Sequence, residues 1–402
     1  MIRGLAMAAK PAKLRASTIG SHLTMKRTTL ALTGLLLVCN ISLAADVPVP
    51  PPPALKARSY ILVDHDSGRA LVENNADERL DPASITKLMT AYAVFHALKD
   101  GKLSLKDNIT ISEHAWKAEG SRTFVQVGTQ VPIEVLIQGM IVQSGNDATI
   151  ALAERVGGTE ETFAALMNNY AKQLGMKGSH FVNSSGLPSP EHYMTARDMA
   201  ILGSAIIREF PDYYKWYSQR EFTWNKIRQE NRNGLLGRDP SVDGMKTGHT
   251  ETAGYCLVTS AKRDNMRLIS VVLGTASMKA REDASQALLN YGYTFYETRK
   301  LHKAGESLQA ARVWKAAFTP AQIGLRRDLY ITAPRGQFSS LKTTIEVQPR
   351  LIAPLPAQKP VGTLTVSLRE QVLDKRYVYP VRDVPQGGWW RRMVDSILLW
   401  LE

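Results

Sequence analysis

The order of hydrophobic patterns along this chain restricts its fold most strongly. Strand-type runs at 59–63 and 70–73 flank a turn at 66–68, which predicts a β-hairpin. The period then becomes helical for five segments, and strand-type runs return before one more helix. We predict helices over 82–100, 132–142, 146–156, 160–174, 196–208 and 280–297, and later strands over 221–224, 242–246, 254–261 and 267–274. This order favours an α+β domain in which helices cover an antiparallel sheet.

Residues beyond 300 have a different pattern. Proline and glycine separate short strand-type stretches at 329–331, 342–347, 362–368 and 376–381, which indicates a small all-β domain. A chain of 402 residues is long enough for both domains. The predicted organisation is an upstream extension and signal peptide over 1–45, a proline-rich linker over 46–54, the helix-and-sheet domain over 55–300, the β-rich domain over 301–385 and an amphipathic helix over 386–402.

The amino terminus has the pattern of a secretory signal peptide. Lys26 and Arg27 precede an apolar run over 30–43, and small residues end it. We expect cleavage after Ala44 or Ala45. The alternative is an uncleaved anchor, but the run is shorter than the ~20 residues that a membrane span needs.

Net charge and cysteine content narrow the class of partner. The chain carries +13, and six of these charges belong to 1–45, which leaves +7 for the remainder. That charge suits an anionic membrane surface or polymer, and no nucleic-acid motif accompanies it. Cys39 would leave with the leader, and Cys256 in a predicted strand is expected to be a core residue. Because no Cys/His cluster has zinc spacing, we expect neither a metal nor another cofactor.

Ser84 and Lys87 form a Ser-x-x-Lys pattern near the start of the helix over 82–100. Residues three apart share a helix face, and unpaired backbone N–H groups in the first turn favour a nearby oxyanion. A lysine made neutral by burial and by a second cation could take the serine proton. The pattern alone is weak, because ordinary helix starts also have it and Ser339 with Lys342 repeats it.

Two further motifs follow in an order that adds specificity. Ser144-Gly145-Asn146 comes 60 residues later between two predicted helices, where its hydroxyl and amide could relay a proton and hold a carbonyl. Asn146 could instead, or in addition, cap the following helix. Lys246-Thr247-Gly248 ends a predicted strand 102 residues further on, where glycine would let a substrate approach the strand edge. Lys246 would supply the second positive charge near Lys87.

The three motifs in this order match the set Ser-x-x-Lys, Ser-x-Asn and Lys-Thr-Gly of β-lactamases and penicillin-binding proteins. Across 55–402 the sequence closely resembles the low-molecular-mass penicillin-binding proteins of the D,D-carboxypeptidase type. The likeness also includes Pro82-Ala83-Ser84, Asn231-Arg232-Asn233-Gly234-Leu235-Leu236, Val242-Asp243-Gly244 and His249-Thr250. It implies the serine β-lactamase/D,D-peptidase-like transpeptidase fold and removal of the terminal D-Ala from peptidoglycan pentapeptide stems.

The resemblance also implies a role for each catalytic residue. Ser84 would attack the carbonyl of the penultimate D-Ala, and Lys87 would be the general base. Ser144 would pass the proton to the leaving amine, and Asn146 would hold Lys87 and the substrate amide. Backbone N–H groups of Ser84 and His249 would form the oxyanion hole. Water would then hydrolyse the acyl-enzyme with Lys87 reused, whereas β-lactams would acylate Ser84 and leave slowly.

Substrate binding is likewise implied by the resemblance, through Lys246, Thr247, Gly248 and His249. Arg281 matches an arginine near the terminal carboxylate of the substrate, although it could simply begin a surface helix. His192 belongs to a loop that matches one at the rim of the cleft, and the alternative is an exposed loop histidine.

The terminal segment over 389–402 has an amphipathic pattern. Seven apolar side chains share one arc of a helical wheel, and arginine, aspartate and serine lie opposite. About 14 residues give a helix of ~20 Å, shorter than the ~30 Å hydrocarbon core, so we expect it to lie on a membrane surface. The alternative is a helix packed on the β-rich domain. With the leader, this pattern predicts a periplasmic enzyme attached to the outer leaflet of the inner membrane.

Two other classes of function remain open from the sequence. A D,D-endopeptidase or a β-lactamase shares the three motifs, although the β-rich domain and the terminal helix argue against both. A non-catalytic penicillin-binding scaffold is the second alternative, which the intact motifs disfavour. We expect peptidoglycan stem peptides, β-lactams and a membrane surface as partners, and no nucleic acid.

Overall fold

The computed structural model describes residues 49–401, which belong to one compact unit, Asp46–Glu402. The predicted leader, its cleavage site and Cys39 lie outside the described residues. The described part of the predicted linker packs on the first domain: the Tyr291 hydroxyl donates to the Pro50 carbonyl at 2.8 Å. Val49 also contacts apolar side chains of that domain.

A five-stranded antiparallel sheet forms the centre of the first domain. The strands of this domain are β1 (Ser59–Asp64), β2 (Ala70–Asn74), β3 (Asn108–Thr110), β4 (Gln130–Pro132), β5 (Glu221–Trp224), β6 (Ile227–Glu230), β7 (Val242–Thr250), β8 (Gly254–Arg263) and β9 (Met266–Thr275). The sheet has the order β2-β1-β9-β8-β7, and β3–β4 and β5–β6 form separate hairpins. Strand β7 is therefore an edge strand of this sheet.

Both faces of the sheet are apolar. Ile61 and Val258 belong to one buried cluster, whereas their neighbours Leu62 and Leu257 belong to the other. Because successive side chains of a strand point to opposite faces, helices must cover both sides. Cys256 is fully buried, and burial raises the pKa of its thiol to about 11, which confirms the expected core position.

The predicted helices are present, with shifted ends. The helices are α1 (Lys87–Lys99), α2 (Glu113–Trp116), α3 (Ile133–Val142), α4 (Asn146–Gly157), α5 (Glu160–Leu174), α6 (Ala196–Glu209), α7 (Pro211–Tyr214), α8 (Leu235–Arg238), α9 (Met278–Phe295) and α10 (Trp389–Leu401). Helix α1 is buried along nearly its whole length among the helices α3–α6, and α6 packs on the sheet against β1, β8 and β9. Helix α9 covers the opposite face of the sheet through Leu288 and Leu289.

A continuous helix was predicted over 82–100, but the segment that carries Ser84 is not α-helical. Ala83–Thr86 forms one 3₁₀ turn, and α-helical geometry begins only at Lys87. Ala83 has a φ of +47°, outside the helical region, so the regular pattern cannot begin at Pro82. The C-terminal end agrees with the prediction, because Gly101 takes a φ of +70° directly after the helix.

The second domain consists of strands. They are β10 (Tyr296–His302), β11 (Ser307–Ala311), β12 (Val313–Trp314), β13 (Ala321–Gly324), β14 (Leu329–Pro334), β15 (Leu341–Val347), β16 (Leu351–Ile352), β17 (Gly362–Leu368) and β18 (Gln371–Pro380). Five of them form a sheet in the order β11-β13-β18-β17-β15, and β10–β14 and β12–β16 form pairs. Ser339 lies in a 3₁₀ turn and Lys342 in β15, so the second Ser-x-x-Lys pattern is not helical.

Buried polar contacts join the two domains. The Asp64 carboxylate on β1 accepts from the Thr298 hydroxyl on β10 at 2.7 Å. The hydroxyls of Ser67 and Thr332 are 2.6 Å apart, and the Arg69 guanidinium donates to the Thr332 carbonyl at 2.7 Å. The β1–β2 hairpin therefore contacts the β10–β14 pair through several hydrogen bonds.

Helix α10 leaves its apolar arc uncovered. None of its residues is buried, and Trp400 is 84% exposed. The Asp395 carboxylate on the opposite face accepts from the Lys315 backbone N–H at 2.5 Å. The helix therefore contacts the β-rich domain through its polar side, as in the alternative prediction, but its apolar side is not packed on that domain. No helix within 49–401 is long and apolar enough to span a membrane.

Candidate active site

Ser84 in the 3₁₀ turn faces Lys87, the first residue of the buried helix α1. The Lys87 Nζ atom lies 2.9 Å from the Ser84 Oγ atom and donates to the Ser185 carbonyl at 2.7 Å. Lys87 is 1% exposed. Burial, helped by the positive charge of Arg232, lowers the pKa of Lys87 to about 7. A large fraction of this amine is therefore neutral near neutral pH and can accept a proton from Ser84.

Close contacts with the surrounding chain position the nucleophile. The Asp81 carboxylate accepts from the Ala83 N–H at 2.9 Å and from the Thr250 hydroxyl at 2.9 Å, which ties the 3₁₀ turn to the end of β7. A Cβ atom at Gly186 would lie 1.9 Å from the Ala83 carbonyl oxygen, and Gly186 has a φ of +87°. Only glycine fits there, because any side chain would displace the turn before Ser84.

Ser144 lies between α3 and α4 with an unpaired hydroxyl. Its φ is +68°, it is 2% exposed, and its buried Oγ atom has no hydrogen-bond partner. A buried hydroxyl without a partner is costly, and it is also free to bond a reacting group. Because Ser144 lines the same cavity as Ser84, its hydroxyl is available to a substrate.

Asn146 neither caps α4 nor binds Lys87, the two roles that were predicted for it. Gly145 is the N-cap of α4 and Asn146 makes no capping bond, so the capping alternative is wrong. Its Nδ2 atom donates to the Glu119 carbonyl at 2.5 Å, and its Oδ1 atom is buried without a partner. The expected hydrogen bond between Asn146 and Lys87 is therefore not formed, and the Oδ1 atom remains free to accept one.

Lys246 supplies a second buried amine. It is 3% exposed and donates to the Thr247 carbonyl at 3.1 Å. Burial, followed by the charge of Lys87, lowers the pKa of Lys246 well below its usual value. The charge of Lys87 therefore opposes protonation of Lys246, as expected for neighbouring cations in a buried site.

A cleft of about 450 Å³ opens above these residues. It is lined by Ser84, Gly120, Ser121, Ser144, Arg232, Thr247, Gly248, His249, Tyr255, Met278 and Arg281. The predicted motif segments on the 3₁₀ turn, the α3–α4 turn and β7 therefore meet at one cavity. A Cβ atom at Gly248 would lie 3.0 Å from the Pro82 carbonyl oxygen, so glycine keeps β7 close to the nucleophile.

Arg281 is a buried residue of the cleft. It is 2% exposed, and its guanidinium donates to the carbonyls of Gly248 at 3.3 Å and Arg232 at 3.2 Å. The alternative of an exposed helix start is therefore wrong. Its Nε atom is buried without a partner. Arg281 and Arg232 make this end of the cleft cationic, which suits a free carboxylate.

His192 does not line the cleft, in contrast to its predicted substrate-binding role, and it is only 3% exposed. Its Nδ1 atom accepts from the Val182 N–H at 3.2 Å, so the Nε2 atom carries the proton and donates to the Thr86 hydroxyl at 2.8 Å. Burial lowers its pKa to about 4, so the ring is neutral. Both sequence interpretations are corrected, because His192 supports the turn behind Ser84.

Three charged residues around Lys87 had no predicted role. Arg232 lowers the pKa of Lys87, whereas Asp147 and Glu160 oppose that shift. The Glu160 carboxylate accepts from the N–H of Ser184 at 2.8 Å and from the Ser184 hydroxyl at 2.5 Å. The next residue, Ser185, provides the carbonyl that accepts from Lys87. Arg232 belongs to the stretch 231–236 that carries the family resemblance, but no role was predicted for it. Glu160 looked like an ordinary first-turn acid of α5.

The fold and the Ser84–Lys87 pair together define a serine acyl-transfer enzyme of the penicillin-binding class. A sequence model of the D-alanyl-D-alanine carboxypeptidases of peptidase family S11 matches residues 46–277. A second one, of the C-terminal domain of penicillin-binding protein 5, matches residues 296–386. Within 49–401 no group of three or more His, Cys, Asp or Glu side chains is placed to hold a metal ion.

Curated relatives and solved structures agree with both matches. D-alanyl-D-alanine carboxypeptidase DacA of Escherichia coli (strain K12) is 42% identical over 397 residues, covering 95% of this chain and 98% of the relative. DacC of the same strain is 43% identical, covering 86% and 89%. The structure of penicillin-binding protein 5 from Haemophilus influenzae has a TM-score of 0.81 at 43% identity, covering 84% of this chain and all of that one. This chain therefore belongs to peptidase family S11 and is a serine D-alanyl-D-alanine carboxypeptidase, which confirms the predicted fold class and activity.

Proposed function

We propose that this enzyme removes the terminal D-Ala from peptidoglycan pentapeptide stems through an acyl-enzyme on Ser84. The 2.9 Å contact between the Ser84 Oγ atom and the buried Lys87 Nζ atom carries the proposal. A neutral amine at hydrogen-bond distance from a half-buried hydroxyl is the arrangement that nucleophilic catalysis requires. The cationic end of the cleft, at Arg281 and Arg232, would receive the free carboxylate of the stem.

Acylation begins with a proton transfer from Ser84 to Lys87. The Oγ atom bonds to the carbonyl carbon of the penultimate D-Ala, and the negative charge moves to the carbonyl oxygen. Ser84 and His249 both line the cleft, and their backbone N–H groups would stabilise that oxyanion. The peptide C–N bond then breaks, and Ser144 would deliver the proton from Lys87 to the nitrogen of the departing D-Ala.

Deacylation uses water in place of Ser84 as the nucleophile. Lys87, neutral again, takes a proton from the water, and the new C–O bond forms as the ester bond to Ser84 breaks. The Ser84 oxygen regains its proton, and the shortened stem leaves. A β-lactam would form the same kind of ester with Ser84. Its nitrogen would stay covalently attached to the acyl group after the ring opens, and would therefore remain in the cleft. A similar solved structure supports this reaction with β-lactams: penicillin-binding protein D2 from Listeria monocytogenes in its ampicillin-bound form. Its TM-score is 0.56 at 31% identity, and the match covers 61% of this chain and all of that one.

Ser84→Ala tests the nucleophile, and Ser339→Ala in the second Ser-x-x-Lys pattern is its matched control. We expect Ser84→Ala to lower D-Ala release from a D-Ala-D-Ala-terminated peptide by at least about a thousandfold. Intact-mass spectrometry after penicillin should show one adduct in the parent and in Ser339→Ala, and peptide mapping after digestion should place it on a peptide containing Ser84. D-Ala release by Ser84→Ala at the parental rate would disprove the mechanism.

The proposed location is the periplasm, at the outer leaflet of the inner membrane. The signal-peptide pattern before residue 46 supports export, and the exposed apolar arc of α10 supports membrane attachment. Stacked Trp389 and Trp390 begin this helix with ring centroids 4.3 Å apart, and Arg391 follows. Tryptophan and arginine both suit the headgroup zone of a bilayer.

A further inference from the structure

A basic cavity in the β-rich domain is separate from the catalytic cleft. It has a volume of about 490 Å³ and is lined by Leu325, Arg326, Arg327, Arg376, Tyr377 and Tyr379. These residues come from β18 and from the turn after β13, and no acidic side chain is among them. A cavity of this volume holds a small organic ligand.

Two of the three arginines keep an uncompensated charge. The Arg376 guanidinium pairs with the Asp374 carboxylate through contacts of 2.9 Å at Nε and Nη2. Arg326 and Arg327 are exposed, and within residues 49–401 neither of them forms an ion pair with a carboxylate. Two unpaired guanidinium groups at one cavity attract an anion, and their planar geometry suits a carboxylate.

Tyrosine rings provide the apolar part of the same cavity. Tyr377 and Tyr379 are two residues apart on β18, so both side chains project from one face of the sheet. Tyr377 is 62% exposed, and the Arg326 guanidinium lies 5.5 Å from the Tyr379 ring centroid. An exposed aromatic ring beside a polar hydroxyl offers a surface on which a sugar ring can stack. The cavity therefore combines carboxylate recognition with sugar recognition.

We propose that this cavity binds a carboxylate-bearing glycopeptide segment of peptidoglycan, at a distance from the reacting stem. The identity of the polymer rests on the proposed function, whereas the requirement for sugar and carboxylate rests on the cavity. Peptidoglycan places sugar rings and free peptide carboxylates on one strand, which matches the two kinds of side chain. Binding the polymer at a second point raises the concentration of stems near the cleft without altering the chemistry at Ser84.

The test is co-sedimentation of the full-length enzyme with purified peptidoglycan sacculi, after penicillin has blocked the cleft. The variant is Arg326→Glu with Arg327→Glu. The matched control is Arg350→Glu with Lys359→Glu, which makes the same change of net charge at two exposed cations of the same domain outside the cavity. We expect the cavity variant to bind at least about tenfold more weakly, and the control to change by less than about twofold.

Two further arms identify the ligand. Amidation of the sacculus carboxylates should weaken binding of the parent to the level of the cavity variant. Vesicles containing anionic phospholipid should bind the cavity variant and its control equally. Loss of vesicle binding in the cavity variant, with sacculus binding retained, would assign the cavity to lipid headgroups and overturn the proposal. Equal sacculus binding by the parent and the cavity variant would also overturn it.

Activity on a short soluble D-Ala-D-Ala peptide separates this proposal from the proposed function. The cavity variant should keep the parental kcat/KM on this peptide, because none of its changed residues lines the cleft. Failure of the parent to release D-Ala would contradict the proposed function and leave the binding comparison interpretable by itself.

Discussion

Lys87 sets the pH dependence of the reaction, because only its neutral amine can accept the Ser84 proton. Since its pKa lies at about 7, protonation removes the base below that pH. We expect kcat/KM to rise about tenfold per pH unit below this pKa and to level off above it. A pH–rate profile with a D-Ala-D-Ala peptide measures this limb. A limb near pH 10, at the ordinary pKa of lysine, would exclude Lys87 as a base of lowered pKa.

The charge of Arg232 predicts the direction in which the pH–rate profile should move when this residue is changed. Its removal in Arg232→Gln makes protonation of Lys87 easier, so the acid limb should move to higher pH. Arg232→Lys keeps the charge and should leave the limb in place. Because Arg232 is exposed, solvent screens its charge and the expected displacement is below about one pH unit.

Glu160 is a positioning residue, and its removal should shift the pKa of Lys87 in the direction opposite to the removal of Arg232. It raises the pKa of Lys87 and holds the segment whose carbonyl accepts from Lys87. Glu160→Gln should therefore move the acid limb to lower pH and reduce kcat several-fold, because the amide holds Ser184 more weakly. Glu161→Gln, at the exposed next position of α5, is the matched control. A variant that loses thermal stability with no movement of the limb would show that Glu160 acts only on structure.

At the scale of elements, α10 has a polar side joined to the β-rich domain and an apolar side open to its surroundings. Ile397→Glu places a charge at the centre of the apolar arc, whereas Leu399→Glu makes the same change on the side of Asp395. We expect Ile397→Glu to abolish most binding to phospholipid vesicles and Leu399→Glu to retain it, since burying a charge in the bilayer is costly. Vesicle flotation measures both. Equal binding of the two variants would contradict attachment through this arc.

Long periodic elements were predictable from the sequence, and irregular ones were not. Helix α3 was predicted over 132–142 and forms Ile133–Val142, because its apolar residues repeat at helical spacing and become buried. Strand β7 was predicted only to 246 but continues to Thr250. Its last residues are held by Asp81, which is far away in sequence. Local patterns contain no information about such partners.

The same limit applied within the site. The three motifs located Ser84 and Ser144, yet the φ of +68° at Ser144 follows from packing and not from a glycine or asparagine signal. His192 was placed in a rim loop, but its partner Thr86 lies 106 residues earlier in the chain. Contacts over such separations decide which polar residues are buried, and one sequence does not show them.

At the scale of the whole molecule, the junction at Asp64 links the active-site domain to the domain that carries α10. Asp64 is fully buried, and its carboxylate accepts from the Ser67 N–H at 2.8 Å and from the Thr298 hydroxyl at 2.7 Å. Thr298→Val removes one hydrogen-bond partner of a buried carboxyl group, so we expect a loss of about 1–3 kcal/mol in the free energy of unfolding. Thr344→Val, at an exposed position of β15, is the matched control.

The expected result depends on which part of the molecule the hydrogen bond supports. If the bond couples the domains, Thr298→Val should lower the unfolding temperature and speed proteolysis near β10. Its kcat/KM on a short peptide should stay parental, because the junction lies outside the cleft. An unchanged unfolding temperature would show that the two domains are coupled mainly by the Ser67 and Arg69 contacts. Hydrolysis of intact sacculi is the sensitive measurement, since a loosened junction would separate the cleft from the polymer-binding and membrane-binding surfaces proposed for the second domain.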